Sequence, residues 1–353
     1  MDKFKELMEN KLFKICLLSI VALIVIIVIV ALIAGSKGSR ITEASLQNAA
    51  KSYLEKNPNM YPKDKYATTT IPISTLVSAG YISDKSDGAS CPSYVTVINM
   101  GGTYGYSATL KCGTEATNTL LSKLLLNQVT SGNGLYNSNG KYVFRGENPN
   151  NYVKFAESKW RIIGIDEANN IKMIYSDITT SDYYIKWDDR YNEEIKEAKG
   201  INNFEVSRLK EFLDNYIDNN QTLFTAPRMM KLSKHSVCTG KINEVDTNVC
   251  SSKVDNVYVS TITAQDYVNA SLDSNCSISN SISCQNYNFL NKRSWTITAY
   301  KDNTYGAYYI DDTEGLQYGQ AYLTRATLPV ISLRSDTIYV SGTGTEADPF
   351  MIK

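Results

Sequence analysis

The sequence lacks several features that identify common classes of enzyme and of nucleic-acid-binding protein. It has 353 residues but a single histidine, His235, and one histidine in a polar segment supports no Ser-His-Asp catalytic triad. It contains no G-x-x-x-x-G-K-S/T loop of the kind that holds phosphates. Its 36 Lys and Arg residues equal its 36 Asp and Glu residues, so no basic surface indicates nucleic-acid binding. We therefore predict a protein that is not an enzyme and binds no nucleic acid.

The composition is that of a folded protein of one to three domains. Hydrophobic residues make up 43% of the chain and charged residues 20%, values typical of globular proteins. The 25 tyrosines outnumber the 9 phenylalanines and 3 tryptophans together. Since tyrosine tolerates partial exposure, this excess favours strands with one face in water.

The N-terminal region contains a long stretch without charged residues, from residue 15 to residue 35. A helix needs roughly 20 apolar residues to span a bilayer. Four lysines precede the stretch, whereas Lys37 and Arg40 alone follow it closely. This excess of positive charge on the N-terminal side predicts a cytoplasmic N-terminus. We expect a cytoplasmic tail at 1–14, a single-pass transmembrane helix at 15–35 in the cell membrane, and extracellular domains after it. The alternative is a cleaved signal peptide, whose apolar stretch is usually shorter.

Cysteine usage agrees with an extracellular location. Cys16 lies in the apolar stretch, and the other six cysteines form three local pairs along the sequence: Cys91 and Cys112, Cys238 and Cys250, Cys276 and Cys284. Disulfides in an oxidising environment are the simplest interpretation, although six cysteines allow many pairings. A zinc site is the alternative, but no C-x-x-C is present, and the only histidine stands just before Cys238. We predict no metal site and place His235 on the surface or in a loop.

Residues 36–113 predict a helical stalk followed by a small strand-containing domain. Apolar residues recur at helical spacing from Ile41 to Leu54, and Pro58 ends the pattern. An apolar helix, an amphipathic extension and a strand-rich head together resemble pilin-like or pseudopilin-like surface subunits. The Gly-Phe-Thr-Leu-Ile-Glu processing site of those subunits is missing, which leaves filament assembly open.

A change of pattern near residue 135 predicts a second domain. Residues 114–135 hold a leucine-rich helix at 117–129 and a linker that ends in turn residues. Beyond them, short apolar strands alternate with turns, and two helical patterns follow at 202–220 and 261–272, the second with Thr263 and Asp266 spaced as a capping box. The fold class expected for 136–353 is α+β, an antiparallel sheet with one or two helices.

Three segments of this second domain together carry a resemblance to a known family. They read GKYVFRGENPNNYVKFAESKWRIIGI, then SWTIT, then LPVISLRSD followed by VSGTGTEADPFMI. In this order they resemble bacterial surface domains with a C-type-lectin-like fold, distant relatives of the formylglycine-generating enzyme. Those domains often carry Arg-Pro-Val where this chain has Leu328-Pro329-Val330, and Arg325 lies three residues earlier. The resemblance implies a fold and a cell-surface location but no particular ligand.

The acidic segments of the second domain raise the question of calcium, which lectin-like domains can bind. ENPNN, WDDR and IDDTEG supply oxygen ligands suited to a hard cation. None has the spacing of a calcium loop, and Asn and Pro suit an ordinary turn. We predict solvated turns and no cofactor, with calcium as the alternative.

A ligand surface is predicted near the C-terminal end. Trp295 alternates with Ile297 and is expected in the core, whereas the adjacent Tyr308 and Tyr309 must point to opposite faces of a strand. Tyrosines among Asn, Gln and Asp residues are typical of adaptable recognition surfaces. The alternative is plain strand packing. The predicted ligand-binding residues are Tyr300, Tyr305, Tyr308, Tyr309, Tyr318, Tyr322 and Arg325.

These observations predict a membrane-anchored bacterial cell-surface protein that binds an extracellular glycan or protein without catalysis. Two other functions stay open. One is a structural, pilin-like or envelope-assembly subunit. The other is a thiol oxidase related to the formylglycine-generating enzyme, which requires free thiols at Cys276 and Cys284.

Overall fold

A computed structural model of the chain describes residues 40–112, 118–138, 140–176, 183–240, 250 and 252–353. The chain divides into two compact units, Met1–Gly113 and Thr114–Lys353, which are taken separately below. Three disulfides join Cys91 to Cys112, Cys238 to Cys250 and Cys276 to Cys284, which confirms the predicted local pairing.

The predicted fold class needs one correction, at its N-terminal helix. Over the residues just given, no helix is long and apolar enough to cross a membrane, and the longest has only 14 residues. The stretch 15–35, where the transmembrane helix was predicted, lies outside the described residues. For the described residues the fold class is therefore given without a transmembrane helix. The structure supports an α+β fold with several sheets, few helices and disulfides.

The N-terminal unit begins its described part with helix α1, Glu43–Lys56. Thr42 starts the helix, because its Oγ1 accepts from the Ser45 amide at 3.1 Å while the Ser45 Oγ accepts from the Thr42 amide at 2.9 Å. A 3-10 turn, Pro58–Met60, follows it. The predicted helical stripe is thus confirmed, with Leu46, Ala49, Ala50 and Leu54 buried on one face.

A three-stranded antiparallel sheet completes this unit. Its strands, in the order β1-β2-β3, are Thr68–Pro72, Tyr94–Asn99 and Tyr104–Thr109, and the short helix α2, Ile73–Ser78, follows β1 directly. The helix face and the sheet share one hydrophobic core, whose strand contribution includes Ile71, Val95 and Val97. Burying this face is what holds so small a unit together, with the Cys91–Cys112 disulfide as a staple.

The C-terminal unit is built on a large sheet. Its strands are β4 (Gly134–Ser138), β5 (Lys141–Arg145), β6 (Tyr152–Phe155), β7 (Ser158–Ile165), β8 (Ile171–Tyr175), β10 (Leu232–Ser233), β17 (Val330–Leu333), β18 (Tyr339–Ser341) and β19 (Phe350–Ile352). They run in the order β10-β17-β8-β7-β6-β19-β18, and β5 carries β4 beside one end of β7. All pairs are antiparallel except β19 with β6. Strand β7 is central, and its residues 160–165 are all buried.

In the described part of this unit, three smaller sheets and four helices accompany the large sheet. The sheets are β9 (Tyr184–Lys186) with β16 (Thr324–Ala326), β11 (His235–Cys238) with β12 (Lys253–Val257), and β13 (Ser294–Ala299) with β14 (Gly306–Asp311) and β15 (Gly315–Gln320). The helices are α3 (Leu120–Leu125), α4 (Arg208–Asn219), α5 (Ala226–Met229) and α6 (Ala264–Ala270), with 3-10 turns at Phe204–Val206 and Ser281–Gln285. The capping box predicted at Thr263 and Asp266 is confirmed at the start of α6.

Two fully buried tryptophans join the small sheets to each other. The Trp187 indole, just after β9, donates to the Thr296 carbonyl of β13 at 3.0 Å. In return, the Trp295 indole donates to the Ile185 carbonyl of β9 at 3.1 Å. The prediction that Trp295 belongs to the core is confirmed. The exchange satisfies both indole N–H groups away from water.

A buried amide fixes the turn between β13 and β14. The side-chain nitrogen of Asn202 donates to the carbonyl oxygens of Tyr300, Asn303 and Gly306 at 3.0, 2.8 and 2.8 Å. Its backbone amide donates to the Thr304 carbonyl at 2.8 Å. A single residue from a distant segment therefore provides the hydrogen-bond donors that these carbonyl groups of the turn need.

We expect Asn202→Ala to lower the free energy of unfolding by about 2 kcal/mol, because carbonyl groups of the turn lose their buried partner. Urea unfolding at neutral pH, followed by far-ultraviolet circular dichroism, measures the change. Asn219→Ala, on the exposed end of α4, is the matched control and should change stability by less than about 0.5 kcal/mol. Equal effects of the two substitutions would contradict the assigned role of Asn202.

Candidate functional site

The structure divides the seven predicted ligand-binding residues into three sets. In the ladder between β14 and β15, Tyr308 pairs with Tyr318 and Tyr309 pairs with Gln317. Because neighbouring residues on a strand alternate, the first pair and the second pair lie on opposite faces of the small sheet. The prediction that Tyr308 and Tyr309 point in opposite directions is confirmed by their separate ring contacts.

The first set is Tyr300, Tyr308 and Tyr318, which we call the tyrosine stack. The rings of Tyr300 and Tyr318 lie parallel with centroids 3.9 Å apart, and Tyr308 meets Tyr300 edge-on at 5.5 Å. Tyr308 is only 5% exposed, whereas Tyr318 is 55% exposed. Desolvation, followed by a hydrogen bond to Asp302, raises the pKa of Tyr300 to about 12. The stack therefore has a buried base and an open aromatic surface.

The second set surrounds Arg325. Its guanidinium carbon lies 3.4 Å from the centre of the Tyr309 ring and 5.2 Å from that of Trp295. Gly319 leaves room for this contact, because a side chain there would meet the Tyr309 ring at 3.1 Å and the Arg325 Nη2 at 3.4 Å. The arginine is thus held by cation–π contacts on the face opposite the tyrosine stack.

The third set is Tyr305 and Tyr322, which lie near Lys199. The hydrogen bond with Glu197 is the main cause that raises the pKa of Lys199, and the two tyrosines add to the same effect. Both rings are half-buried, and over the described part of the chain neither has a ring contact with the tyrosine stack. The structure therefore brings together three of the seven predicted residues as one surface.

Two of the three acidic segments considered for calcium, WDDR and IDDTEG, are paired with basic side chains. Asp188 lies 2.6 Å from the Arg190 guanidinium, and Arg293 lies 3.4 and 2.8 Å from the carboxylates of Asp311 and Asp312. No group of three or more His, Cys, Asp or Glu residues able to hold a metal occurs within the described ranges.

A cavity of about 590 Å³ forms a second candidate site in the C-terminal unit, and it was missed in the sequence. This volume lies within the usual range of small-molecule sites, roughly 300–1,000 Å³. Strands β5, β7 and β8 form one wall, the β11–β12 hairpin another, and the first turn of α6 a third. Thr298 of β13 and Ser332 of β17 also line it.

A half-buried ion pair lies on the cavity wall. The Lys172 Nζ of β8 is 2.8 Å from both carboxylate oxygens of Asp266 in α6. Burial acts to raise the pKa of Asp266, but Lys172 and the hydrogen bonds from Thr263 outweigh it and hold the pKa below its ordinary value. Asp266 thus belongs to the capping box at the start of α6 and also forms an ion pair with Lys172 of β8.

His235 also lines the cavity, and its predicted surface or loop position is wrong. It lies on β11, it is 8% exposed, and its Nε2 is 2.8 Å from the buried Ser260 hydroxyl. Burial, with the nearby positive charge of Lys172, lowers the pKa of His235 to about 4, while Asp266 and the Ser233 carbonyl act weakly in the other direction. The imidazole is therefore neutral at physiological pH.

Two residues of the cavity wall each have a buried side-chain atom without a hydrogen-bond partner among the described residues: the Oε1 of Gln265 and the Oγ of Ser332. Native structures pair nearly all buried polar atoms, so each exception needs an explanation. Little in the sequence indicated the cavity, because residues of its wall come from β11, α6 and β17, which are far apart along the chain. The single histidine in a β-alternating segment was the only local sign.

Comparison with known proteins identifies no relative: no family model, no curated protein and no solved structure matches this chain. The resemblances to C-type-lectin-like domains and to pilin-like subunits therefore stay predictions.

Because the chain has a single histidine, the effect of histidine protonation on the stability of the fold can be assigned to His235. An unfolded chain has a histidine pKa of about 6.5, whereas folding lowers the pKa of His235 to about 4. The contribution of the neutral His235 imidazole to the free energy of unfolding is complete above pH 6.5. It is lost as the pH falls from 6.5 towards 4, because over that range only the unfolded chain binds the proton. Between pH 7 and pH 5 we expect the wild type to lose about 2 kcal/mol more stability than His235→Gln.

Urea unfolding of both proteins at the two pH values measures this difference. The carboxylates titrate alike in the two proteins, so their effect cancels in the comparison. Parallel losses of stability in wild type and variant would show that the imidazole is not held neutral by the fold.

Proposed function

We propose that the C-terminal unit is a non-enzymatic binding domain that holds an extracellular glycan against the tyrosine stack. The observation that carries the proposal is the geometry of Tyr318, which is more than half exposed and stacked flat on Tyr300. An exposed aromatic ring that is already fixed in place binds a ligand with little loss of side-chain entropy.

Sugar rings suit this surface for two reasons. The apolar C–H face of a sugar packs on an aromatic ring, and the hydroxyl groups around it need hydrogen-bonding partners. The tyrosine stack supplies the ring through Tyr318 and a polar group beside it, since Asp302 bonds to the Tyr300 hydroxyl. The Asp302 carboxylate accepts hydrogen bonds from hydroxyl groups, so the surface favours a hydroxyl-rich ligand.

An extracellular ligand is consistent with the three disulfides. Such bonds persist in oxidising environments and are rare in the cytosol of most organisms. The disulfide between Cys276 and Cys284 also occupies the two thiols that an oxidase function requires to be free. Binding without catalysis is therefore the function that the site supports best.

We expect the full chain, purified with its disulfides intact, to bind a subset of saccharides on a glycan array. Tyr318→Ala removes the exposed ring and should lower the affinity for those saccharides about tenfold. Titration of the best saccharide from the array by isothermal calorimetry measures the change.

Tyr184→Ala provides the matched control. Tyr184 is 54% exposed, close to the exposure of Tyr318, but it lies on β9 rather than on β15. Its removal should leave binding unchanged. A blank array from the correctly folded chain would contradict glycan binding and direct the search to protein ligands.

A further inference from the structure

We infer that the C-terminal unit binds a single chloride ion against the buried guanidinium of Arg161. Arg161 lies on β7, the central strand of the large sheet, and pairs there with Ile174 of β8. A small pocket beside it shares no described lining residue with the cavity near His235 or with the tyrosine stack. Chloride binding at this place is therefore independent of glycan binding.

Arg161 carries a buried charge that has no ion pair among the described residues. It is only 5% exposed, whereas arginine is almost never fully buried without a partner of opposite charge. The nearest carboxylate that acts on it is that of Glu346, which is instead paired with Lys159 at 2.9 Å. The Glu346 side chain is 64% exposed, so water screens its charge. The charge of Arg161 therefore still needs a counter-ion.

The hydrogen bonds of the Arg161 guanidinium are also incomplete. Its Nε donates to the Asn151 Oδ1 at 2.9 Å, and its Nη2 is enclosed without a partner. The Nη1 has no hydrogen bond among the described residues either, but it is not one of the enclosed atoms, so it borders space that a water molecule can enter. The ligand is therefore expected at Nη1.

Two aromatic rings lie against the same guanidinium. Its central carbon is 4.5 Å from the centre of the Tyr152 ring and 4.6 Å from that of Phe289. Cation–π contacts of this kind offset part of the cost of burying the charge. They supply no hydrogen-bond acceptor for the Nη1 edge, which lies in the plane of the guanidinium. An acceptor at that edge must come from outside the described residues.

The pocket beside Arg161 has the size of one small ion. Its volume is about 10 Å³, which is room for a single water-sized species. Within the described ranges, the only charged side chains that line it are Arg161 and Lys292, whose Nζ donates to the Ser176 carbonyl at 3.1 Å. The apolar part of the wall consists of Ile174, Phe289, Leu290 and Leu328.

The charge and the size of the pocket together select chloride. Guanidinium and ammonium groups only donate hydrogen bonds, so an occupant that only accepts them suits the pocket better than water, whose own protons need acceptors. Polyatomic anions such as acetate, phosphate and sulfate are too large for it. Burial is the main cause that lowers the pKa of Arg161, and a bound anion relieves that electrostatic cost.

The test compares thermal unfolding of the full chain, with its disulfides intact, in sodium chloride and in sodium gluconate at equal ionic strength. Tryptophan fluorescence follows the C-terminal unit alone, because all three tryptophans, Trp160, Trp187 and Trp295, belong to it. A ligand that binds only the folded state raises the melting temperature, and we expect chloride to raise it by about 3 °C over gluconate. Excess broadening of the chloride NMR signal by the folded protein reports binding directly.

Arg161→Met should abolish both the chloride-dependent shift and the excess broadening. Arg145→Met is the matched control, because Arg145 also contacts an aromatic ring and has an enclosed Nε without a partner, but does not line the pocket. It should keep the full shift. Lys292 is exposed at the rim, so Lys292→Met keeps the test decisive if the Arg161 variant fails to fold. That variant should reduce the shift.

General effects of salt on stability act alike on wild type and variants, so they cancel in these comparisons. Three outcomes would overturn chloride binding at Arg161. The first is equal stability of the wild type in chloride and gluconate, which would leave water in the pocket. The second is a full chloride shift in both Arg161→Met and Lys292→Met, which would place the anion elsewhere. The third is an equal Arg161-dependent shift with acetate, which would exclude a pocket limited to a monatomic ion.

Discussion

The C-terminal unit depends on one reciprocal contact, the exchange of indole hydrogen bonds between Trp187 and Trp295. Each indole donates to a carbonyl on the strand of the other, so the β9–β16 pair and the β13–β15 sheet cannot separate without leaving two buried donors unpaired. The same tryptophan at 295 supports Tyr309 and, through it, Arg325. Two of the predicted ligand-binding residues, Tyr309 and Arg325, are therefore positioned by one of these two indoles. A surface built on such a frame is rigid, which is what a binding site with few polar contacts needs.

Buried amide side chains pair backbone carbonyl groups at several places in this unit. Asn202 bonds to the turn after β13, Asn192 to the Gly200 and Thr304 carbonyls, and Asn151 to the Ile162 carbonyl. These carbonyl groups are thus paired by side chains from other segments, as buried backbone requires.

The parts that could be predicted from the sequence are those controlled by local chemistry. Capping residues located α6, the apolar stripe located α1, short spacing located the disulfides, and strand alternation separated Tyr308 from Tyr309. Pattern alone predicted helix ends less well: α4 begins at Arg208, several residues after the predicted start, because the Ser207 hydroxyl before it accepts from the Lys210 amide and caps the helix there. The cavity could not be predicted, because β8, β11, α6 and β17 meet there only through tertiary pairing. The grouping of the tyrosines needed strand register, which sequence spacing does not supply.

The position of β19 has a consequence for how the chain acquires its structure. Phe350 and Met351 lie between β6 and β18 and pair in parallel with Val153 and Lys154, which are made much earlier. Until the ribosome has released residues 350–352, β6 keeps an open edge with unpaired amides and carbonyls. Pairings between segments so distant in sequence form slowly, and an open edge invites association with other chains in the interval. Closing the open edge of β6 is therefore expected to be a late step in the folding of this unit.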